Sequence, residues 1–403
     1  MPWTLRMLLF FTLAGLLFQS YVVRKTITAT VTLTDWPRKR VRLIAALVML
    51  WTLLYPIMLL GSYYFKLNNL SQSFQRSNLL LDLLITYPFW VGMITAVQLT
   101  FIFLLIDAAR LLSYPYYKNH KAGWMKVQSR LVLVLISVGV IYVSWRIYND
   151  LYNVRVRETE LQITGLPEQL DGFRIVQIAD VQADGRTNGS KLQGYVDAVN
   201  GLKPDLVLFG GDLVTSGTDY IPTGAAAMGK MQARFGVYAC LGDHDYFSDS
   251  EYVKQSLQQN NVTVLDNVAT LVPVGASYLS LTGITNVYRT RPAPATLETI
   301  ERQRPKGPVN ILLTHQPSPW LVEHSLEHGY NLFTAGHTHG GQIVFPLPGF
   351  LLTGSSFETD YVTGFYHVGG MLVSINNGLG MTLAPVRYHA PAEVTLILLK
   401  NAK

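Results

Sequence analysis

Residues 43–64 and 83–106 carry no charged side chain over 22 and 24 positions, and nothing else in the sequence constrains the fold as much. A helix rises ~1.5 Å per residue, so either run can cross a hydrocarbon core of ~30 Å. Lipid offers no water to backbone polar groups, and a helix satisfies them internally. Two further apolar runs lie near 7–23 and 131–148. The first 150 residues are therefore expected to form a transmembrane region of four helices, at about 7–23, 43–64, 83–106 and 131–148. Pro88 and Gly92 are tolerable in the third run where neighbouring helices repair the backbone. Asp82 and Asp107 bracket that run and read as end markers. Arg146, in the fourth, must snorkel. The first run has the length of a secretory signal, but its only early charge is Arg6 and no small-x-small cleavage site follows. It reads as a retained helix.

Charge changes sign near residue 150. Up to there fifteen Lys/Arg stand against four acids, a balance of +11; from 151 onward seventeen stand against twenty-two, a balance of −5. The basic excess sits between apolar runs and not on one folded surface, so it is no nucleic-acid footprint. Arg24, Lys25, Arg38, Lys39, Arg40 and Arg42 follow the first run, and Arg110, Lys118, Lys121, Lys126 and Arg130 follow the third. Only Lys66 and Arg76 lie between the second and third. The positive-inside rule puts the two rich loops in the cytoplasm of a multi-pass cell (inner) membrane protein, and residues 151–403 outside it. Arg146, Arg155 and Arg157 pull the other way. A single cysteine, Cys240, excludes an intramolecular disulfide framework.

Residues 151–403 alternate strand and helix patterns. Phe173–Asp180, Pro204–Asp212, Gly236–Gly242, Leu279–Ile284, Val309–Leu313, Leu332–Ala335, Leu372–Ile375 and Val394–Leu399 read as strands. Lys191–Leu202, Ala225–Ala233 and Ser250–Asn260 read as helices. Four apolar strands each run into an acid or a histidine: Asp180, Asp212, Asp243/His244 and His315. In layered α/β folds ligands bind where strand C-termini meet loops, so these groups are expected at one edge. The segment Gly336-His337-Thr338-His339-Gly340-Gly341 adds two imidazoles on alternate residues, which point the same way on extended backbone.

Asp180-Val-Gln182, Gly211-Asp212, Gly242-Asp243-His244-Asp245, Thr314-His315 and Gly336-His337-Thr338-His339 resemble, in order and spacing, the motifs of the calcineurin-like metallophosphoesterases. The surroundings are most similar to the membrane-attached bacterial branch: Leu170–Gln177, Gly236–Ala239, Gly340–Ile343, Gly378–Gly380 and Pro385–Arg387. The resemblance covers about 155–400 and implies a layered α/β/β/α sandwich. It also implies two divalent metal ions (Mn, Zn or Fe). One would be held by Asp180, Asp212 and His339, with Gln182 where the family has histidine. The other would be held by Asp212, Asp243, His315 and His337, with Asp243 where the family has asparagine. Gln182 can ligate through its amide oxygen but is a poorer donor than imidazole. Asp184, two residues on, is a substitute ligand or a loop-surface residue. His244 is the expected catalytic group, assisting the leaving oxygen, with Asp245 orienting its ring. Arg387 is a candidate substrate-binding residue, contacting phosphate or pairing internally.

The reaction implied is hydrolysis of a phosphomonoester, phosphodiester or diphosphate by hydroxide generated at the metals. Membrane lipids and a lipid-linked phosphate substrate are the expected partners, by proximity. Hydrolysis of a nucleotide-linked lipid precursor is one rival; a catalytically weakened metal- or lipid-binding regulatory domain, suggested by Gln182, is the other. His324-Ser-Leu-Glu-His328 spells a zinc-peptidase order but reads better as an exposed helix. Phe345–Leu352 is an apolar stretch that is either core or a wall beside the metals.

Overall fold

The computed structural model describes residues 3–347 and 350–402, and the chain divides into two compact units, Met1–Tyr148 and Asn149–Lys403. The first unit is helical: α1 (Trp3–Leu33), α2 (Arg38–Thr52), α3 (Leu54–Tyr64), α4 (Asn68–Gln75), α5 (Leu79–Leu81), α6 (Tyr87–Tyr117) and α7 (Lys121–Tyr152). A π turn, Asp82–Thr86, joins α5 to α6, and a 3-10 turn, Lys118–His120, joins α6 to α7.

Of the four expected transmembrane helices, the described residues give two candidate spans by length and composition, or three if one bent pair is a single span. Two helical segments, Thr4–Leu33 and Leu79–Tyr152, are long and apolar enough to cross a membrane. The pair α2 and α3, bent by 50°, adds a third if the two form one span. The bend has a cause in the sequence. Pro56 has no amide hydrogen to give the Thr52 carbonyl, and its ring clashes with that carbonyl. The third and fourth expected helices fall within one run of 74 helical residues. That run folds back on itself, since a methyl group placed on Gly139 would lie 3.2 Å from Thr95 Cγ2 and 3.6 Å from Leu99. Leu99, Phe103 and Val132 share a buried cluster with Ala29 of α1. Asp107 marks no free end: it ion-pairs with Lys25 of α1 and accepts from Tyr21 Oη at 2.7 Å. Asp82, the other expected marker, is buried in the π turn.

The second unit is a mixed α/β sandwich. One sheet has β1 (Arg155–Thr164), β2 (Arg174–Ile178), β3 (Leu206–Phe209), β4 (Val237–Ala239), β5 (Val262–Val264) and β14 (Glu393–Ala402), in the order β1-β14-β2-β3-β4-β5. The other has β6 (Val268–Val274), β7 (Ser277–Ile284), β8 (Val309–Thr314), β9 (Leu332–Ala335), β12 (Gly364–Val368) and β13 (Met371–Ile375), in the order β12-β13-β9-β8-β7-β6. Strands β10 (Phe345–Leu347) and β11 (Phe350–Leu352) form a separate hairpin. Strand alternation sorts the side chains. Ile175, Leu206 and Leu208 meet Leu281, Ile311 and Leu372 between the sheets. Val176, Ile178, Val207 and Phe209 face the other way, onto α8 (Gly189–Gly201), α9 (Ile221–Met228) and α11 (Ser250–Gln259). Helices α12 (Pro294–Gln303) and α13 (Pro319–Glu327) cover the far face of the second sheet against Leu312, Phe333 and Val373. Gln177 is the polar exception between the sheets. Its amide donates to Ala335 O and Ser374 O and accepts from Ser374 Oγ, tying one sheet to the other just behind the site. Burying that amide is tolerable because its bonds are made.

Strands β2, β3 and β4 are mutually parallel, as are β7, β8 and β9. Their C-terminal ends deliver Asp180, Asp212, Asp243, His315 and the His337–His339 turn. A short helix, α10 (Asp243–Ser248), begins at the third of these.

Candidate metal centre

The strand ends converge. His315 Nε2 lies 3.5 Å from Asp212 Oδ2 and 3.4 Å from Asp243 Oδ2. His337 Nδ1 lies 3.0 Å from Asp243 Oδ2, and His339 Nε2 lies 3.4 Å from Asp180 Oδ1. Two groups, Asp243/His315/His337 and Asp180/Asp212/His315, each offer ligand atoms within 4.8 Å of one another. Asp180, Gln182 and His315 are fully buried, yet Asp180 Oδ1, Gln182 Oε1 and His315 Nε2 have no hydrogen-bond partner among the described residues. Orphaned buried polar atoms are destabilising. Three of them, all lone-pair donors and all in one pocket, fit divalent cations bound there.

The backbone is bent to make the cluster. Asp180, Gln182, Asp212, His337 and His339 all have positive φ, between 49° and 71°. A non-glycine residue in this region costs of order 1–3 kcal/mol, and such strain gathers at functional sites. Close approach does the rest. A Cβ on Gly242 would overlap Asp212 Oδ1, and one on Gly336 would sit 2.6 Å from Asp180 Oδ2. Glycine at these two positions lets one strand end reach the ligand of the next.

Charge explains why the pocket needs a cation. Burial, with Asp212's charge adding and His315 opposing, pushes the Asp180 carboxyl above its ordinary range. Burial would raise Asp243 too, but the His315 and His337 imidazoles beside it outweigh burial and hold that carboxyl well below. Against its own burial, His337 is pushed up to about 9 by Asp243 and Glu358. Burial and the Arg387 charge keep His339 well below the imidazole range, hence neutral, as a ligand must be. Metal binding replaces protons on such groups.

Neighbouring groups fix each ligand's orientation. His315 Nδ1 lies 2.7 Å from Gly210 O, which leaves Nε2 for a metal. Asp243 accepts from Tyr288 N at 2.6 Å and from Gln316 Nε2 at 2.8 Å. Its extra charge relative to asparagine is thus hydrogen-bonded. His337 Nε2 sits 3.1 Å from Glu358 Oε1, which also accepts from Tyr288 Oη; a carboxylate behind an imidazole is a frequent support for a metal ligand. Gln182 Nε2 donates to Asp212 Oδ2 at 2.9 Å, so its amide oxygen is the atom left for ligation. Tyr288, Gln316, Glu358, Thr215 and Thr382 were not found from the sequence. Gln316 had a signal in its place beside His315; the others carry no motif.

Two expectations change. Asp245 does not orient His244: its two oxygens accept backbone N–H groups from Gly242, Asp212 and Leu213. It pins the ligand loop. The His244 ring is set by Thr215 O, 2.5 Å from Nδ1, and by Thr382 Oγ1, 3.3 Å from Nε2. Arg387 is not a phosphate contact. It is fully buried and gives its guanidinium to the carbonyls of His339, Asn377, Gly378, Gly380 and Ala390. Of the two readings of Asp184, the loop role is the one seen: it accepts from Arg186 N, Thr187 N and Thr215 Oγ1 and closes a turn. The stretch His324–His328 lies on and just past α13, as the helical reading has it: His324 faces Glu301, and His328 Nδ1 lies 2.8 Å from His324 O.

Residues 173–341 match the family described as calcineurin-like phosphoesterase. They form a calcineurin-like metallophosphoesterase domain. The family and the Asp/His clusters make it a metal-dependent hydrolase of phosphoric esters. Among similar proteins, the uncharacterized metallophosphoesterase YkuE of Bacillus subtilis is 29% identical over 259 residues, 63% of this chain and 88% of that one. A "transmembrane protein with metallophosphoesterase domain" of Danio rerio is 30% identical over 287 residues, 68% of this chain and 63% of that one. The uncharacterized metallophosphoesterase Cj0846 of Campylobacter jejuni is 27% identical over 278 residues, covering 68% and 70%.

Proposed function

We propose that this metallophosphoesterase is anchored in the cell membrane and hydrolyses a lipid-borne phosphomonoester, phosphodiester or diphosphate on the outer side of the cytoplasmic membrane. Asp180, Gln182, Asp212 and His339 would hold one divalent cation, Mn²⁺, Zn²⁺ or Fe²⁺. Asp212, Asp243, His315 and His337 would hold a second, with Asp212 shared. Such a pair supplies Lewis acidity and lowers the pKa of water. The protein's part is to place the phosphoryl group and move one proton. With the Nδ1–H of His244 held by Thr215 O, its Nε2 is the atom that carries a proton to the leaving oxygen.

The observation carrying this reading is the set of three orphaned ligand atoms where strands from both sheets end. Lipid-borne substrates are favoured by two features. The helical unit has two or three segments long and apolar enough to span a bilayer, and reading the folded-back run as two passes would bring the total to four. The hairpin after the metal turn and the 3-10 turn Gly354–Phe357 behind it expose apolar side chains, Leu351 at 42% and Phe357 at 87%. Of the two earlier alternatives for that stretch, core burial does not hold for Leu351; residues 348–349 lie outside those described. Ser355 Oγ bonds Thr338 O, so this surface is fixed to the metal turn.

The test uses full-length protein purified without chelator. Metal content should approach two ions per chain, and hydrolysis of a phospholipid or lipid phosphate with Mn²⁺ should vanish with EDTA. Turnover of soluble esters but of no lipid phosphate would remove the lipid part. Reporter fusions after residue 150 test the side of the membrane, and a cytoplasmic result would favour a nucleotide-linked lipid precursor. The regulatory reading has one observation in its favour, the Gln182–Asp212 hydrogen bond, which occupies part of the shared ligand. It wins if wild type is inert in every metal and Gln182→His gains activity.

A further inference from the structure

Beside His337 opens a cavity of about 200 Å³, lined among others by Arg291, Gln316, Pro317, Trp320 and Glu358. Binding pockets for whole drug-sized ligands run to ~300–1,000 Å³, so this one suits a single substituent. It begins where the ligand set ends. Gln316 Nε2 bonds Asp243, and Glu358 bonds His337, so anything attached to a phosphoryl group on those ligands meets this opening.

Arg291 is the arginine of the lining, exposed and with no hydrogen bond or ion pair recorded among the described residues. Its loop is nevertheless anchored. Val287 and Thr290 close a bridge, and Tyr288 N donates to the metal-site carboxylate of Asp243. The only carboxylate in the lining, Glu358, is engaged by Tyr288 Oη and His337, so Arg291 remains uncompensated. A guanidinium is a fixed fork suited to a phosphate's paired oxygens.

We propose that this cavity is the subsite for a second phosphate, which makes diphosphate esters the preferred substrates; the inference rests on the phosphoesterase reading above. Binding reads it without turnover. Mn²⁺-loaded full-length protein is titrated calorimetrically with methylene diphosphonate and with methylphosphonate. Wild type should prefer the diphosphonate by about tenfold or more, since a hydrogen bond to a charged group is worth ~1.5–3 kcal/mol. Arg291→Gln should cut that preference by about tenfold, with Arg291→Lys intermediate. Arg302→Gln, an exposed arginine bonded only within α12, should keep it. No preference in wild type, or equal weakening of both ligands by Arg291→Gln, overturns the subsite alone. Failure of both ligands to bind overturns the phosphoesterase reading as well.

Discussion

His244 and Arg387 show how the same residue type can serve chemistry or architecture according to what its polar atoms already touch. His244 keeps its imidazole at the edge of the site, while its backbone N–H donates to Asp212 Oδ1 at 2.8 Å. His244→Ala therefore keeps the bond to the ligand and loses only the ring. Single-turnover rates should fall by about 10²–10⁴-fold, with metal content unchanged. Arg387 is the opposite case. Its removal takes a donor from five carbonyls and leaves those of Asn377, Gly380 and Ala390 unpaired, so Arg387→Ala should cost more than ~3 kcal/mol, read as a lower Tm. Arg387→Lys should not rescue it, because a point charge cannot span the fork. The family resemblance placed both residues near the site. It did not tell them apart, because the difference lies in contacts made across 29 and 48 positions of chain.

At the scale of elements, the strands that end in ligands were legible because they are buried on both faces and read as continuous apolar runs. Strand β1 was not, because charges alternate along it and it lies at a sheet edge. The helix expected at Ala225–Ala233 begins at Ile221, where Pro222 suits a first turn, and ends at Met228. Helix α12 also escaped notice, though it carries a buried network. Glu301 accepts from Arg304 Nε at 2.8 Å and Tyr330 Oη at 2.9 Å, with His324 at 3.4 Å. Burial works against that carboxyl, but these hydrogen bonds prevail and lower it to about 2. A depressed carboxyl stabilises fully above its unfolded value of 4.5 and loses that contribution as pH falls toward 2. Chemical denaturation should show stability declining across that window. In Glu301→Gln the decline should be shallower.

For the whole molecule, the shift from a basic, apolar half to an acidic, mixed half was legible because lipid and water demand different compositions. The internal breaks of the helical half were less so, since only a proline and a folded-back glycine contact reveal them. Strand β14 raises a different matter. It is the last strand along the chain, yet it lies between β1 and β2, parallel to one and antiparallel to the other. Deleting residues 393–403 should leave the protein without near-ultraviolet circular dichroism from its second unit, and with no bound metal. That strand pairs with residues more than two hundred positions earlier, and contacts of such long range form slowly. On a ribosome, then, the sandwich has to wait for codons 393–402, and a frameshift just before them would strip out the middle of a sheet.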